Sequence, residues 1–239
     1  ITFNRPPTTA NAGPDQDGAS MCGLTSTVLA ANTPSVGTGS WTIISGSGGN
    51  IANPTNPAST FTGLAGNSYT LRWTISNSPC PASTDDVTII FRQNPSLANA
   101  GPDQTGTSMC GKTSITLAAN APSIGTGSWS IISGTGGSVA SPSSPTSTFT
   151  GTAGTTYVLR WTISNPPCAP SADDVTITFE ALPAVTLTSS DLDNIFCVGT
   201  TITFIAGGGT NYNFKVGGST VQNGPSNTYF TSTLTNGQK

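Results

Sequence analysis

Five cysteines and two pairs of adjacent aspartates are the side chains in this sequence with the most chemistry to offer. Cys22, Cys80, Cys110, Cys168 and Cys197 could form disulfides or ligate a metal, and Asp85-Asp86 and Asp173-Asp174 could work as acid and base. Histidine is absent, which removes the commonest general base and every Ser-His-Asp or Cys-His arrangement. The serines are many, but none has an obvious activator. Neighbouring residues on a strand point to opposite faces, so neither aspartate pair brings two carboxyls to one substrate. Their expected roles are to begin the last strand, cap a turn or hold backbone amides. Asp191 and Asp193, in the run DLDN, offer oxygens to calcium but lack the glycine and distal glutamate of an EF-hand loop. No catalytic residue and no cofactor follows, and a non-enzymatic chain is expected.

The cysteines gain meaning from an internal repeat. WTISNSPC, ending at Cys80, returns 88 residues later as WTISNPPC, ending at Cys168. Cys22 falls on Cys110, Trp41 on Trp129 and Trp73 on Trp161 in the same register, and residues 10–91 differ from 98–179 at only 24 of 82 positions. This is a tandem array. Each repeat holds two cysteines, and two without histidine cannot close a tetrahedral zinc site, so disulfides are favoured over metal. The expected bonds are Cys22–Cys80 and Cys110–Cys168, each spanning 58 residues (80 − 22, 168 − 110), with the partner of Cys197 beyond Lys239. A loop of that size contributes roughly 4 kcal/mol in the chain-entropy model. Such bonds imply an oxidising compartment outside the cytoplasm. Cys22 precedes a strand and Cys80 follows one, so each bond should tie one end of its unit. Lys112 stands where the first repeat has Leu24, which argues against a Lys-Asn isopeptide as a repeat feature, and no N-x-Ser/Thr sequon with x other than Pro occurs.

The elements that must position these residues are strands. In YTLRWTISN, Tyr69, Leu71, Trp73 and Ile75 share one parity and Thr70, Arg72, Thr74 and Ser76 the other, the period of a half-buried strand. The same alternation places Val87, Ile89 and Phe91 inward, likewise Leu29 and Ala31, Trp41 and Ile43, and Phe61. No window has a 3.6-residue period, and the intervals carry turn signals such as GPDQ, SGSGGN and NPTNP. About seven strands per repeat are expected: an edge segment near NAGPDQ, then runs at 26–32, 40–45, 50–52, 59–62, 69–77 and 85–91. This predicts an all-β chain of tandem immunoglobulin-like antiparallel sandwiches. Trp41, Trp73, Trp129 and Trp161 share parity with core neighbours, so burial is favoured over use as sugar-stacking platforms. The repeats differ at inward positions only among apolar or β-branched types: Thr27 to Ile115, Val36 to Ile124, Ile51 to Val139.

Composition narrows the function classes. Charged residues are 7% of the chain, against about 25% in ordinary globular proteins, while Thr and Ser number 41 and 30. A net charge of −3 leaves no basic patch for phosphates or anionic lipid, so nucleic acid is not an expected partner, and without a run of roughly 18 apolar residues direct membrane insertion is not expected. The first residues lack the pattern of a signal peptide.

Continuing the register backwards places Ile1, Thr2 and Phe3 on Ile89, Ile90 and Phe91, which reads as the last strand of a preceding repeat, free to pair with an edge of another chain. The expected division is residues 1–8 (that strand and a linker), 9–93 (repeat one), 94–181 (repeat two) and 182–239 (a third, divergent and C-terminally truncated unit). The third keeps alternation at Ile202 and Phe204, at Tyr212, Phe214 and Val216, and at Tyr229. The linkers NRPPTT, RQNPSL and EALP are short and contain proline, favouring semi-rigid spacing.

The ordered segments ANAGPDQ, GSWTIISGSGG, STFTG, YTLRWTISN and DDVTIIF resemble the PKD-type immunoglobulin-like domains. The cysteine-bearing version is similar to tandem repeats of very large surface proteins of gliding Bacteroidetes-type bacteria. GGTNYNFKVGG and SNTYFTSTLTNG in the third unit are similar to another repeat of such proteins. The resemblance implies an extracellular array exported by the type IX route, serving as stalk or filament in cell-surface adhesins, gliding-motility adhesins included. The partners then expected are neighbouring repeats of the same chain, other copies in a filament, and surface polysaccharide. Two alternatives stay open: a polysaccharide-binding module, and spacer domains of a secreted hydrolase.

Overall fold

A computed structural model describes residues 3–193 and 195–237. Of the N-terminal strand expected at Ile1 to Phe3, the first two residues lie outside the described residues, as does Asn194 of the DLDN run; Phe3 is exposed.

The first repeat forms β1 (Ser26–Val28), β2 (Thr38–Ser45), β3 (Asn50–Ile51), β4 (Thr60–Thr62), β5 (Ser68–Asn77) and β6 (Cys80–Ile90). These make two antiparallel sheets, ordered β1-β4-β3 and β2-β5-β6. Gln16 adds a parallel edge: its amide donates to Thr88 O and its carbonyl accepts from the Ile90 amide. The second repeat copies this plan with β7 (Ser114–Thr116), β8 (Thr126–Ser133), β9 (Ser138–Val139), β10 (Thr148–Thr150), β11 (Thr155–Asn165) and β12 (Cys168–Phe179), in sheets β7-β10-β9 and β12-β11-β8. The remaining chain has β13 (Thr186–Ser189), β14 (Ile202–Gly207), β15 (Tyr212–Val216), β16 (Ser219–Gly224) and β17 (Thr228–Thr231), in sheets β13-β14-β17 and β15-β16.

Alternation is the cause of the layers. Tyr69, Leu71, Trp73 and Ile75 on β5 are fully buried, and they meet Leu29 and Phe61 from the opposite sheet. Phe61, Tyr69 and Phe91 form an aromatic triad, with Phe61 edge-on to Tyr69 at 5.0 Å; such rings add about 0.5–1.5 kcal/mol beyond their buried area. The Tyr69 hydroxyl donates to Ser47 O and accepts from the Leu64 amide, so its polar end is satisfied inside the turn. Trp41 lies opposite Trp73 in the β2/β5 register, with ring centroids 5.0 Å apart. Gly39 makes room for the larger ring: a Cβ there would stand 2.1 Å from Trp73. The second repeat reproduces this with Gly127 and Trp161.

Two expectations need correction. Ile43, read as inward, is 36% exposed: it sits opposite the buried Leu71 on edge strand β2, at the last pair before the register with β5 slips. The last strand begins at Cys80 and not near residue 85; β5 and β6 form one long hairpin with a bulge near its tip. That extension moves the cysteine to the far end of the sandwich.

Candidate functional site

The place where the described side chains do covalent chemistry is the junction between the repeats. Cys22 and Cys168, 146 positions apart in sequence, form a disulfide with Cα atoms 5.6 Å apart. The expected Cys22–Cys80 and Cys110–Cys168 bonds do not form; Cys80, Cys110 and Cys197 are free thiols. The reason is distance along a strand. Cys22 follows a short 3-10 turn (Ala19–Met21) and pairs with Arg92, just past the end of β6, while Cys80 is the first residue of β6. Twelve residues of extended chain (92 − 80) separate the two ends, roughly 40 Å at strand rise, whereas a disulfide needs Cα atoms within about 7 Å. Each repeat thus carries one cysteine at each end, and the end that leaves repeat one meets the end that enters repeat two.

The linker is fixed on both sides of that bond. The Arg92 amide donates to Met21 O, and Arg92 O accepts from the Gly23 amide. The Arg92 guanidinium grips both carboxyl oxygens of Asp17 at 2.7 Å, which holds the Asp17 carboxyl below the usual range. From repeat two, Asn165 Nδ2 donates to Gln93 O at 2.8 Å, and the Ser96 amide donates to Ile124 O. The Ala98 amide then donates to Ser171 Oγ and the Ala100 amide to Asp173 Oδ2. No long run of the linker is left unbonded, so the proline-containing spacer is held as a strap.

The aspartate pairs split as strand geometry requires. Asp85 and Asp173 turn toward the entering segment and accept from the Ala12 and Ala100 amides. Asp86 and Asp174 lie on the other face, each in a two-pronged pair with Arg72 or Arg160. Hydrogen bonding to that arginine lowers both carboxyl pKa values, against a small opposing effect of burial. Neither pair shares a substrate-sized space, and of the roles expected for them, holding backbone amides describes Asp85 and Asp173.

All four tryptophans are buried. Trp41 Nε1 donates to Pro57 O, while the indole nitrogens of Trp73, Trp129 and Trp161 have no partner, so these rings serve packing and present no face for stacking a sugar. Asp191 is half-buried, and its pKa is raised by burial and by the neighbouring Asp193 carboxyl. Asp193 spends one oxygen on the Ile195 amide. Among the described residues no group of three or more acidic or cysteine side chains converges. Beside this stretch lies an apolar cleft of about 910 Å³ lined by Leu187, Ile195, Phe196, Phe204, Phe214 and Tyr229 among others. Strand alternation signals Phe204, Phe214 and Tyr229, but neither Leu187, Ile195 and Phe196 nor the cleft they line together.

The pairing of cysteines between repeats was missed from sequence; the signal available was the tandem copying itself, which allows a bond to the neighbour wherever it allows one within a unit.

No family model matches the chain, and no curated protein matches it. Among solved structures it is similar to mouse cadherin-23 EC22-24 at 13% identity and a TM-score of 0.40, covering 96% of this chain and 89% of that one. It is also similar to Sidekick-1 immunoglobulin domains 1-5 at 13% identity and a TM-score of 0.46, over 91% of this chain and 49% of that one. For the insect immune protein hemolin the values are 10% and 0.43, over 76% and 48%.

Proposed function

We propose that this chain is a non-enzymatic, load-bearing segment of the stalk or filament of a large bacterial cell-surface adhesin. The observation that carries this reading is the Cys22–Cys168 bond, which joins consecutive repeats rather than closing either one. A junction with two covalent connections, the linker and the disulfide, resists both bending and extension. Because the bond joins positions 146 apart in sequence, tension applied to the two ends passes through the sulfurs and leaves most of both repeats unloaded. A catalyst has no use for such a bypass, whereas a stalk under repeated pulling keeps its folded units through it. Supporting the same reading are the strapped linker and the scarcity of charge on a hydroxyl-rich surface.

The division into residues 9–93, 94–181 and 182–239 is part of this proposal, and the two separate hydrophobic cores support the first two units. The disulfide supports placement in an oxidising compartment outside the cytoplasm. Export by the type IX route and a part in gliding rest on the resemblance of the repeats alone. The polysaccharide-binding alternative loses its tryptophan platforms to the cores.

The test is twofold. Antibodies raised against the segment should label intact cells without permeabilisation. Small-angle scattering of the full chain should give an elongated particle whose maximum dimension is sharp when oxidised and broadens with reductant. Labelling only of broken cells, or a globular particle with measurable turnover of a glycan substrate, would contradict the reading.

A further inference from the structure

We infer that Cys80 and Cys110 are the two unoccupied halves of the same covalent junction, and that the partner each takes is a cysteine at the facing end of another sandwich unit of this kind. The inference rests on the reading of the chain as a head-to-tail array.

The bonded pair supplies the pattern. Cys168 occupies in repeat two the position Cys80 occupies in repeat one, and Cys22 that of Cys110, all at a spacing of 88. Cys168 and Cys22 are joined, so the same two positions are seen ligated within this molecule.

The surroundings of each free thiol copy half of that junction. At the entering end of repeat one, Asn77 Nδ2 donates to Arg5 O at 2.7 Å, as Asn165 Nδ2 does to Gln93 O at 2.8 Å. The Thr8 amide donates to Val36 O as the Ser96 amide does to Ile124 O. The Cys80 sulfur lies 3.8 Å from Asn4 O. Asn4 is the register equivalent of Arg92 (92 − 88), the residue against which Cys22 is paired. A unit preceding Asn4 and built like repeat one would therefore bring its own cysteine to the Cys80 sulfur. At the leaving end of repeat two, the Gly111 amide donates to Glu180 O as the Gly23 amide does to Arg92 O, and Cys110 stands exposed beside it. The segment leaving repeat two thus follows the path of the segment leaving repeat one.

Closing such a bond needs an oxidant, which a low-molecular-weight disulfide such as oxidised glutathione supplies. The Cys80 thiolate attacks one glutathione sulfur and expels the other glutathione as thiolate. The deprotonated thiol of the facing cysteine then attacks the Cys80 sulfur of this mixed disulfide and expels the second glutathione. Two protein thiols give up two protons and two electrons, and one glutathione disulfide becomes two thiols.

The experiment inserts a second copy of residues 10–97 between Leu97 and Ala98 of the full chain, so that repeat one is followed by its duplicate and then by repeat two. The product is oxidised in glutathione buffer, alkylated and mapped by mass spectrometry without reduction. Expected is a cross-link from Cys22 of the first copy to Cys80 of the inserted copy, and another from the inserted Cys22 to Cys168 of the original numbering, with the first Cys80 and Cys110 alkylated. Cys22→Ser in the first copy should abolish only the first of these. A bond within one copy, or a free thiol at the inserted Cys80 in a folded product, would overturn the inference. Should the duplicated chain not fold, residues 98–185 are duplicated instead, between Val185 and Thr186: a bond from Cys110 of the first copy to Cys168 of the inserted copy supports the inference, and a bond within one copy, or a free Cys168 in the inserted copy, defeats it. These maps can fail while scattering still shows an elongated particle, so this inference and the functional reading fall separately.

Discussion

The two ends of repeat two are built alike but finished differently. Where it meets repeat one, Cys168 is bonded to Cys22 and Asp17 pairs with Arg92. Where the chain leaves it, Cys110 is unbonded, and Thr105 and Glu180 stand at the positions of Asp17 and Arg92. The backbone path is nevertheless the same, since Gly23 and Gly111 donate to residues 92 and 180 alike. The difference teaches that main-chain hydrogen bonds lay out the junction, while the disulfide and the ion pair lock it. It also separates a well-cored pair of repeats from a third unit whose buried apolar residues among those described are Ile202 and Phe214 and whose Leu187, Val198 and Phe230 are exposed.

The largest expected effect comes from unlocking the first junction. A loop of 146 residues is worth about 5 kcal/mol in the chain-entropy model. Reduction, Cys22→Ser or Cys168→Ser should each lower resistance to guanidinium by up to about that much across the two repeats, with the double variant no worse than either single one. Cys80→Ser and Cys110→Ser should leave the unfolding curve in place. Equal losses from all four would erase the contrast between the junctions.

Next come the cores. Trp73→Ala or Trp161→Ala should cost about 3–5 kcal/mol in chemical denaturation, whereas Phe230→Ala in the third unit, 70% exposed, should stay within about 0.5 kcal/mol. Gly39→Ala drives a methyl into Trp73 and should cost about 1–3 kcal/mol.

A comparable loss is expected from Asp85→Ala or Asp173→Ala, about 1–3 kcal/mol, because the buried amide of Ala12 or Ala100 loses its acceptor. The smallest effect belongs to the exposed ion pairs. Asp86 and Asp174 have folded pKa values below their unfolded ones, so their contribution is present above the ordinary aspartate range and is lost as pH falls through the depressed values. Thermal melts between neutral pH and pH 2 should show a slight decline on that acid limb, flattened by salt and by Arg72→Gln or Arg160→Gln.

Much of the fold was legible because alternation at Tyr69 through Ile75 leaves only one face to bury, and turn signals mark where each run stops. Ile43 was misread because alternation tells which side of a strand a residue faces, not whether the opposite sheet reaches far enough to cover it. The extent of β6 was hidden for another reason: PASTDD lacks apolar alternation, so its pairing with β5 comes from the hairpin that Asn77 and Cys80 close, not from side-chain pattern. That hidden stretch decided the cysteine pairing. With β6 starting near Asp85, Cys80 is a loop residue near its own Cys22; with β6 starting at Cys80, the two are at opposite ends of the sandwich. The splitting of Asp85 from Asp86 was legible from strand geometry, while their partners, an amide 73 residues away and Arg72 across the hairpin, needed the folded chain.

Pulling the full chain by its two ends, one molecule at a time, tests the central claim most directly. With the junction oxidised, the chain between Cys22 and Cys168, a sequence separation of 146, lies outside the path of force, and full extension should fall short of the reduced chain's by roughly 500 Å at about 3.4 Å per residue. Added reductant should release that length in one set of molecules. Two separate hidden blocks of about 200 Å each, or the same contour length with and without reductant, would contradict a bond that joins one repeat to the next.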